Sequence, residues 1–300
     1  MTPIYDIQPD ILELLNEWQR YVFDLDLDYF MSRKGKGGKF FQEGRSEYSC
    51  SMECLRNFVA DGGGDRHDGF PPDAHGYDFN QMATWIKHDD VDIKLAREVM
   101  EKSQWLDKEL GGLINSRFCA LKIYYPKNGY IAWHTNHNVP GYNLLFTYNH
   151  TGDGYWRHID PEGSTGIIND ISDDSKLVHI PDVKGWHLKT GYYGKSSEHD
   201  KVMWHAAVGG PRITLGYVIF DEKMWQMMIE EITGKEQVWP LAKWNPDSIP
   251  DAGYVGPYDS HKGGVGQARR SRMFPEEQKG EPEKLYNQLP REARYNQAPR

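Results

Sequence analysis

The chain has 300 residues, a net charge of -9, 30 Gly and 17 Pro, yet also 10 Trp, 18 Tyr and 11 Phe. That aromatic content supplies a core and argues against uniform disorder. The acidic balance disfavours a general nucleic-acid coat, and no apolar run is long enough to span a membrane.

Acidic residues stand near the N-terminus where a signal peptide carries basic ones, and the three Cys are an odd set. Both features suggest reduced thiols in a cytoplasm. Cys50 and Cys54 are read as two thiols one helical turn apart.

Residues 1–117 read as a helical, loop-rich extension. Asp10 is placed to cap a helix with Ile11, Leu14, Leu15 and Trp18 on one face. Residues 32–46 and 61–79 read as loops. The Gly-Lys pairs in the first lack the Ser/Thr ending of a phosphate loop. A helix is expected from about Asp90 to Leu110, with Val91, Leu95 and Val99 on one face and Gly111 and Gly112 as its stop.

Residues 118–222 change character. Eight β-rich runs are expected, at 118–125, 129–136, 142–149, 154–160, 176–180, 185–193, 201–207 and 212–220. Their length and spacing imply a mainly β sandwich or barrel. Residues 223–300 begin with an amphipathic helix striped by Met224, Met227, Met228 and Ile232 and ended by Gly234. Beyond about Asn245 the chain reads as an irregular or disordered tail, a segment suited to wrapping another subunit.

The chemistry-bearing residues sit at strand ends. Alternation along a strand lets His134 and Asn136 address one point. His205 is expected to end the seventh run, and Arg212 to open the eighth with Thr214 on the same face. Two imidazoles from different strands suit a metal, and a deeper Arg suits an anionic co-substrate.

This ordered set resembles the iron(II)/2-oxoglutarate-dependent oxygenases, whose fold is the double-stranded β-helix, a jelly roll of cupin type. The likeness covers residues 118–222 and is carried by Tyr125 and Gly129, His134-Thr-Asn136, Gly152-Asp-Gly154, His205 and Arg212-Ile-Thr214. It is similar above all to prolyl-hydroxylase-like members and to small oxygenases encoded by phages, which would place it in a host cytoplasm. The resemblance implies Fe(II) held by His134, Asn136 and His205. It implies 2-oxoglutarate held by Arg212 and Thr214 with help from Tyr125. Dioxygen is then the second co-substrate, and the reaction hydroxylates a protein side chain or a small molecule.

Two departures stand out. Asn136 occupies the place of Asp or Glu, which leaves three alternatives: a weak amide ligand, an open position, or a degenerate site. His205 and Arg212 are close in sequence, with Gly209-Gly210-Pro211 expected as a tight hairpin. A rival anchor, His158-Ile-Asp160, matches the His-x-Asp letters but is followed by a loop where a strand is needed. The alternatives to an oxygenase are a non-catalytic jelly-roll assembly protein with a degenerate metal site, and a cupin-like metal module without 2-oxoglutarate.

Overall fold

Two antiparallel sheets face each other, and each is covered on its outer side by helices. The computed structural model describes residues 4–25, 27, 44–61, 69–81, 93–116, 119–137, 139–159, 177–193 and 203–235. The expected tail beyond Asn245, Val91 and most of the 32–46 loop lie outside the described residues.

In chain order the elements are β1 (Ile4–Tyr5), α1 (Pro9–Asp24), α2 (Arg45–Ser49), α3 (Met52–Ala60), β2 (Ala74–His75), β3 (Tyr77–Asp78), α4 (Ile93–Leu113) and β4 (Leu121–Tyr125). Then come β5 (Tyr130–His134), β6 (Gly141–Asn149), β7 (Tyr155–Ile159), β8 (Leu177–Pro181), β9 (Gly185–Tyr193), β10 (His205–Val208), β11 (Arg212–Ile219) and α5 (Glu222–Thr233). The larger sheet has the order β1-β9-β6-β11-β4-β3 and the smaller β2-β5-β10-β7-β8. Neighbouring strands in both sheets run antiparallel. This is a mainly β arrangement with added helices, compatible with a β-sandwich.

The larger sheet is two-faced. Leu144, Phe146, Leu188, Ile213, Leu215 and Tyr217 point outward into the main core, which α1, α4 and α5 complete. Ile11, Leu15, Trp18 and Val22 of α1 and Val99, Leu106 and Leu110 of α4 fill that layer. At roughly 25 cal/mol per Å² of apolar surface, burying such side chains holds the helices against the sheet. The alternate residues of the same strands therefore face the smaller sheet.

Several local expectations need correction. Gln8, not Asp10, is the N-cap of α1, because Pro9 takes the first helical turn and Asp10 follows it. The 61–79 segment contributes β2 and β3 rather than only loop, passing from the edge of one sheet to the edge of the other. In α5 the buried face is Met228, Ile229 and Ile232, whereas Met224 and Met227 are exposed. Gly234 ends the helix in the left-handed region, with φ 64°.

Gly111 and Gly112 do not stop α4, which continues to Leu113. The chain turns at Asn115, with φ 53°, and Ser116 donates its N–H back to the Gly111 carbonyl at 2.8 Å. A Cβ on Gly111 would stand 2.3 Å from the Ser116 carbonyl oxygen, while one on Gly112 meets nothing within 4 Å. The helix-propensity gain of Gly→Ala, about 1 kcal/mol, is thus available only at Gly112. Gly112→Ala is expected to raise stability by about that amount, and Gly111→Ala to lower it by about 1–3 kcal/mol. Urea unfolding of the two variants checks the opposite signs.

Candidate functional site

The inner face of the smaller sheet carries a row of three imidazoles. His205 of β10 pairs with His134 of β5 on one side and with His158 of β7 on the other. Directly paired residues project to the same face, so all three rings enter the space between the sheets. His134, His158 and His205 are all buried.

A bulge puts His134 there. Ala207 pairs with Ile131 and His205 with His134, so β5 takes three steps where β10 takes two. The extra residue resets the alternation. Trp133 stays on the outer face, with Trp204, Cys50 and Leu55, and donates its indole N–H to the Ser51 carbonyl. Without the bulge His134 would join that outer cluster.

His205 opens β10 rather than ending the strand expected from Lys201, since among the described residues the ladder starts where His134 and His158 flank it. Asn136 reaches the same point by a different route from strand alternation. β5 ends at His134, and the chain turns at Asn136 with φ 55°, a left-handed conformation that Asn tolerates. Its amide lies beside His205, with Nδ2 3.2 Å from Nε2.

The tautomers follow from the partners. His134 Nδ1 lies 2.8 Å from the Ala132 carbonyl and His205 Nδ1 2.9 Å from the Met203 carbonyl. A carbonyl only accepts, so each Nδ1 carries a proton, and in a neutral ring Nε2 then keeps its lone pair. Asn136 therefore donates an N–H to His205 Nε2. The two rings stand 4.0 Å apart between centroids. Burial holds the His205 imidazolium down to about 4, so the ring is neutral at pH 7. Imidazoles anchored through Nδ1 present Nε2 as the ring atom able to bind a metal. Tyr193 of β9 stacks on His205, with centroids 5.1 Å apart, and Trp156 flanks His158 at 4.5 Å.

Comparison with known proteins finds no matching family model, curated protein or solved structure. The site therefore rests on its own geometry.

Arg212, Thr214 and Tyr125 are brought together on the inner face of the larger sheet. Arg212 pairs with Tyr125 across the ladder, donates from Nε to Thr214 Oγ1 at 3.3 Å and lies over the Tyr125 ring at 5.6 Å. Gly209-Gly210-Pro211 is a turn between sheets, not a hairpin, since β10 and β11 belong to different sheets. A Cβ on Gly210 would meet the Pro126 carbonyl oxygen at 2.0 Å, so the close passage requires glycine there.

Charged groups not anticipated from the sequence adjoin Arg212. Asp182, in the turn between β8 and β9, takes Lys189 Nζ at 2.5 Å, Arg212 at 3.5 Å and the Asn149 amide at 3.0 Å. Despite burial, the two cations hold its carboxyl down to about 2. Burial brings Lys189 down to about 8, against the opposing pull of Asp182. Beside them Thr147 of β6 pairs with His187 of β9 and with Thr214 of β11. The Thr147 hydroxyl and both ring nitrogens of His187 are buried without a partner in hydrogen-bonding geometry.

The rival anchor is half visible. His158 stands beside His205, and Asp160 lies outside the described residues. Of the other substitutes for Asn136, His137 directs Nδ1 to Thr135 Oγ1 at 2.8 Å, and Asn138 lies outside the described residues. Among the described residues no group of three or more His, Cys, Asp or Glu is arranged to hold a metal. Cys50 is buried, and burial pushes its thiol up, which suits a packing role. No helix among the described residues is long and apolar enough to cross a membrane.

Burial, reinforced by the Lys189 charge, also brings the His187 imidazolium down to about 4. Between that value and the unfolded 6.5 the native state binds fewer protons than the unfolded state. Its contribution is therefore present above pH 6.5 and lost as pH falls toward 4. The loss is about 3 kcal/mol at 1.36 kcal/mol per pH unit. His187→Gln is expected to flatten that part of the stability–pH curve, measured by urea unfolding at pH 7, 5.5 and 4.5. An unchanged slope would move the acid sensitivity to other groups.

Proposed function

We propose that the chain is an iron(II)- and 2-oxoglutarate-dependent oxygenase on a double-stranded β-helix, hydroxylating a protein side chain or small molecule. The strand order supports the jelly roll. From β4 to β11 the chain alternates between the sheets, apart from the β7–β8 step, and the interior strands interleave in sequence. The observation that carries the activity is the convergence of His134, Asn136 and His205, the two rings 4.0 Å apart and the Asn136 amide 3.2 Å from His205 Nε2.

The donor set fits iron, with one adjustment. His134 and His205 would bind through Nε2, and Asn136 would rotate its amide to present Oδ1 instead of Nδ2. Arg212, with Thr214 and Tyr125 beside it, would hold the far carboxylate of 2-oxoglutarate. When bound, the iron and the keto acid use dioxygen to hydroxylate a C–H bond, with release of succinate and carbon dioxide. Trp156, Ile131, Met203 and Ala207 pack as an apolar cluster beside the imidazoles, surroundings that would keep water from the reacting groups.

The test is thermal unfolding with Mn(II) or anaerobic Fe(II), then with 2-oxoglutarate, followed by succinate release with Fe(II) and ascorbate in air. Metal is expected to raise Tm and 2-oxoglutarate to raise it again. Arg212→Ala should remove the second shift and keep the first. Absence of any metal-dependent shift overturns the reading. It would favour the non-catalytic jelly-roll assembly protein, to which the missing carboxylate at Asn136 lends specific support.

A further inference from the structure

The smaller sheet ends on one side at β8. Among the described residues β8 pairs with β7 alone. Which of its backbone groups face outward follows from the ladder. The Asp182 N–H bonds the Gly154 carbonyl at 2.8 Å, and bonded pairs recur at every second residue of an antiparallel pair. Ile180 and Val178 are therefore the residues that bond to β7. Leu177 and His179 turn both N–H and C=O away from the sheet, and Pro181 turns its C=O. Among the described residues nothing takes these groups up. Such a row is a template for a further strand.

The side chains beside the edge state what that strand carries. Arg157 of β7 pairs with His179 of β8 and with Ala206 of β10, which lies in the outer cluster with Cys50 and Trp204. Arg157 and His179 thus stand on the outer face of the sheet, away from the three imidazoles. Arg157 donates from Nε to His179 Nδ1 at 3.1 Å and from Nη1 to the Cys50 carbonyl at 3.2 Å, with its guanidinium 4.2 Å over the Tyr155 ring. Both acceptors are neutral. Among the described residues no carboxylate lies within 4.0 Å of this half-buried cation, and Glu47 of α2 acts on Tyr155 from farther off. Because Nδ1 of His179 accepts, the ring proton is on Nε2, and this exposed ring adds a second donor. On the inner face of the same edge, Val178 and Ile180 are only partly buried.

We propose that the β8 edge is a docking surface for an extended acidic peptide of another protein, added as a sixth strand to the smaller sheet, with Arg157 and His179 taking its outward carboxylates. Alternate apolar residues of the peptide cover Val178 and Ile180. The added strand lies two strands from β7, about 10 Å, a span that an Arg and a Glu side chain close between them. Two other occupants fit less well. A second copy pairing β8 with β8 would bring two Arg157 side chains to one edge, like charge against like. Residues 251–300 of the chain itself carry nine Lys/Arg against seven Asp/Glu, with five Pro, the wrong charge and too many strand breakers. The surface does not depend on the oxygenase reading.

The experiment uses the full chain and a short labelled peptide of alternating Glu and Val, blocked at both ends. Its controls are the Gln/Val and Lys/Val peptides and two N-methylated forms, one methylated at Glu and one at Val. Binding is read by fluorescence anisotropy at about 0.15 M salt, where charges beyond about 8 Å are screened, and its place by hydrogen exchange. Glu/Val is expected to bind and to slow exchange at the Leu177 and His179 amides. Lys/Val should not bind, and Gln/Val should bind at least about tenfold more weakly. One N-methylated form should fail, because the N–H groups on one side of the peptide make the ladder. Arg157→Gln keeps a donor for the Cys50 carbonyl and should weaken Glu/Val at least about tenfold. No binding of Glu/Val, whether another part of the chain or a second copy holds the edge, overturns the proposal. Protection away from β8, or binding by both N-methylated forms, overturns strand addition. Equal binding of Glu/Val and Gln/Val overturns the acidic partner, and that comparison uses the unaltered chain, so it decides even if Arg157→Gln does not fold.

Discussion

Asp182→Asn is expected to lower the stability of the ligand-free chain by about 3 kcal/mol at pH 7, the range for removing one partner of a buried ion pair. The variant keeps the shape of the side chain and its neighbour Asn149, but among the described residues leaves Lys189 and Arg212 with no carboxylate within 4.0 Å. A competing effect caps the loss. Burial already brings Lys189 down to about 8 while Asp182 pulls it up. Without that pull the amine falls further and sheds its proton, which relieves part of the cost. Arg212 has no such escape, because its guanidinium stays charged. Urea unfolding should therefore show a marked loss, partly recovered by raising pH from 7 to 9 as the residual Lys189 charge disappears. The exposed Asp153→Asn serves as the control and should change little. A loss below about 0.5 kcal/mol would mean that solvent screens the cluster despite its burial.

The sequence carried the strand positions well and the site unevenly. Runs such as 142–149 and 185–193 alternate apolar with polar residues and end in turn signals, so their place in the chain was readable. What alternation cannot tell is where the polar face points. In β9, Trp186 and Leu188 face the helical layer while His187 and Lys189 face the second sheet. On a sheet with one solvated side the same letters would put His187 and Lys189 in water. Asp182 was hidden for a related reason: a lone Asp in a turn looks local until Gly154 is seen to make room for it. A Cβ on that glycine would sit 2.4 Å from Asp182 Oδ2. The readable hint was Arg212 and Thr214 on one face of a strand otherwise apolar and fully buried. Asn136 comes beside His205 by another device than strand alternation, since a bulge turns His134 inward and a left-handed turn brings the amide back.

Asn136→Asp is expected to tighten Mn(II) or Fe(II) binding at least about tenfold, or 1.4 kcal/mol. On the proposed reading the donors would be two imidazoles and an amide, a set without a negative charge to offset that of a divalent ion. A carboxylate at that position supplies it. The backbone does not oppose the change, because Asp shares with Asn the tolerance of the left-handed region that Asn136 occupies at φ 55°. The metal-free protein should respond in the opposite direction. The Asn136 amide donates to His205 Nε2 at 3.2 Å, whereas a carboxylate would set an acceptor against that lone pair. A loss of about 1–2 kcal/mol in EDTA is expected from that contact. Stability lost without metal and affinity gained with it are the joint signature of a side chain directed at the metal. Asn136→Ala separates a ligand from a bystander, since it removes the amide without adding charge. It should weaken metal binding if the amide oxygen ligates, and leave it unchanged if the third position is open. If neither variant alters affinity, Asn136 does not face the metal. His158, already in register with His205, then becomes the next position to change.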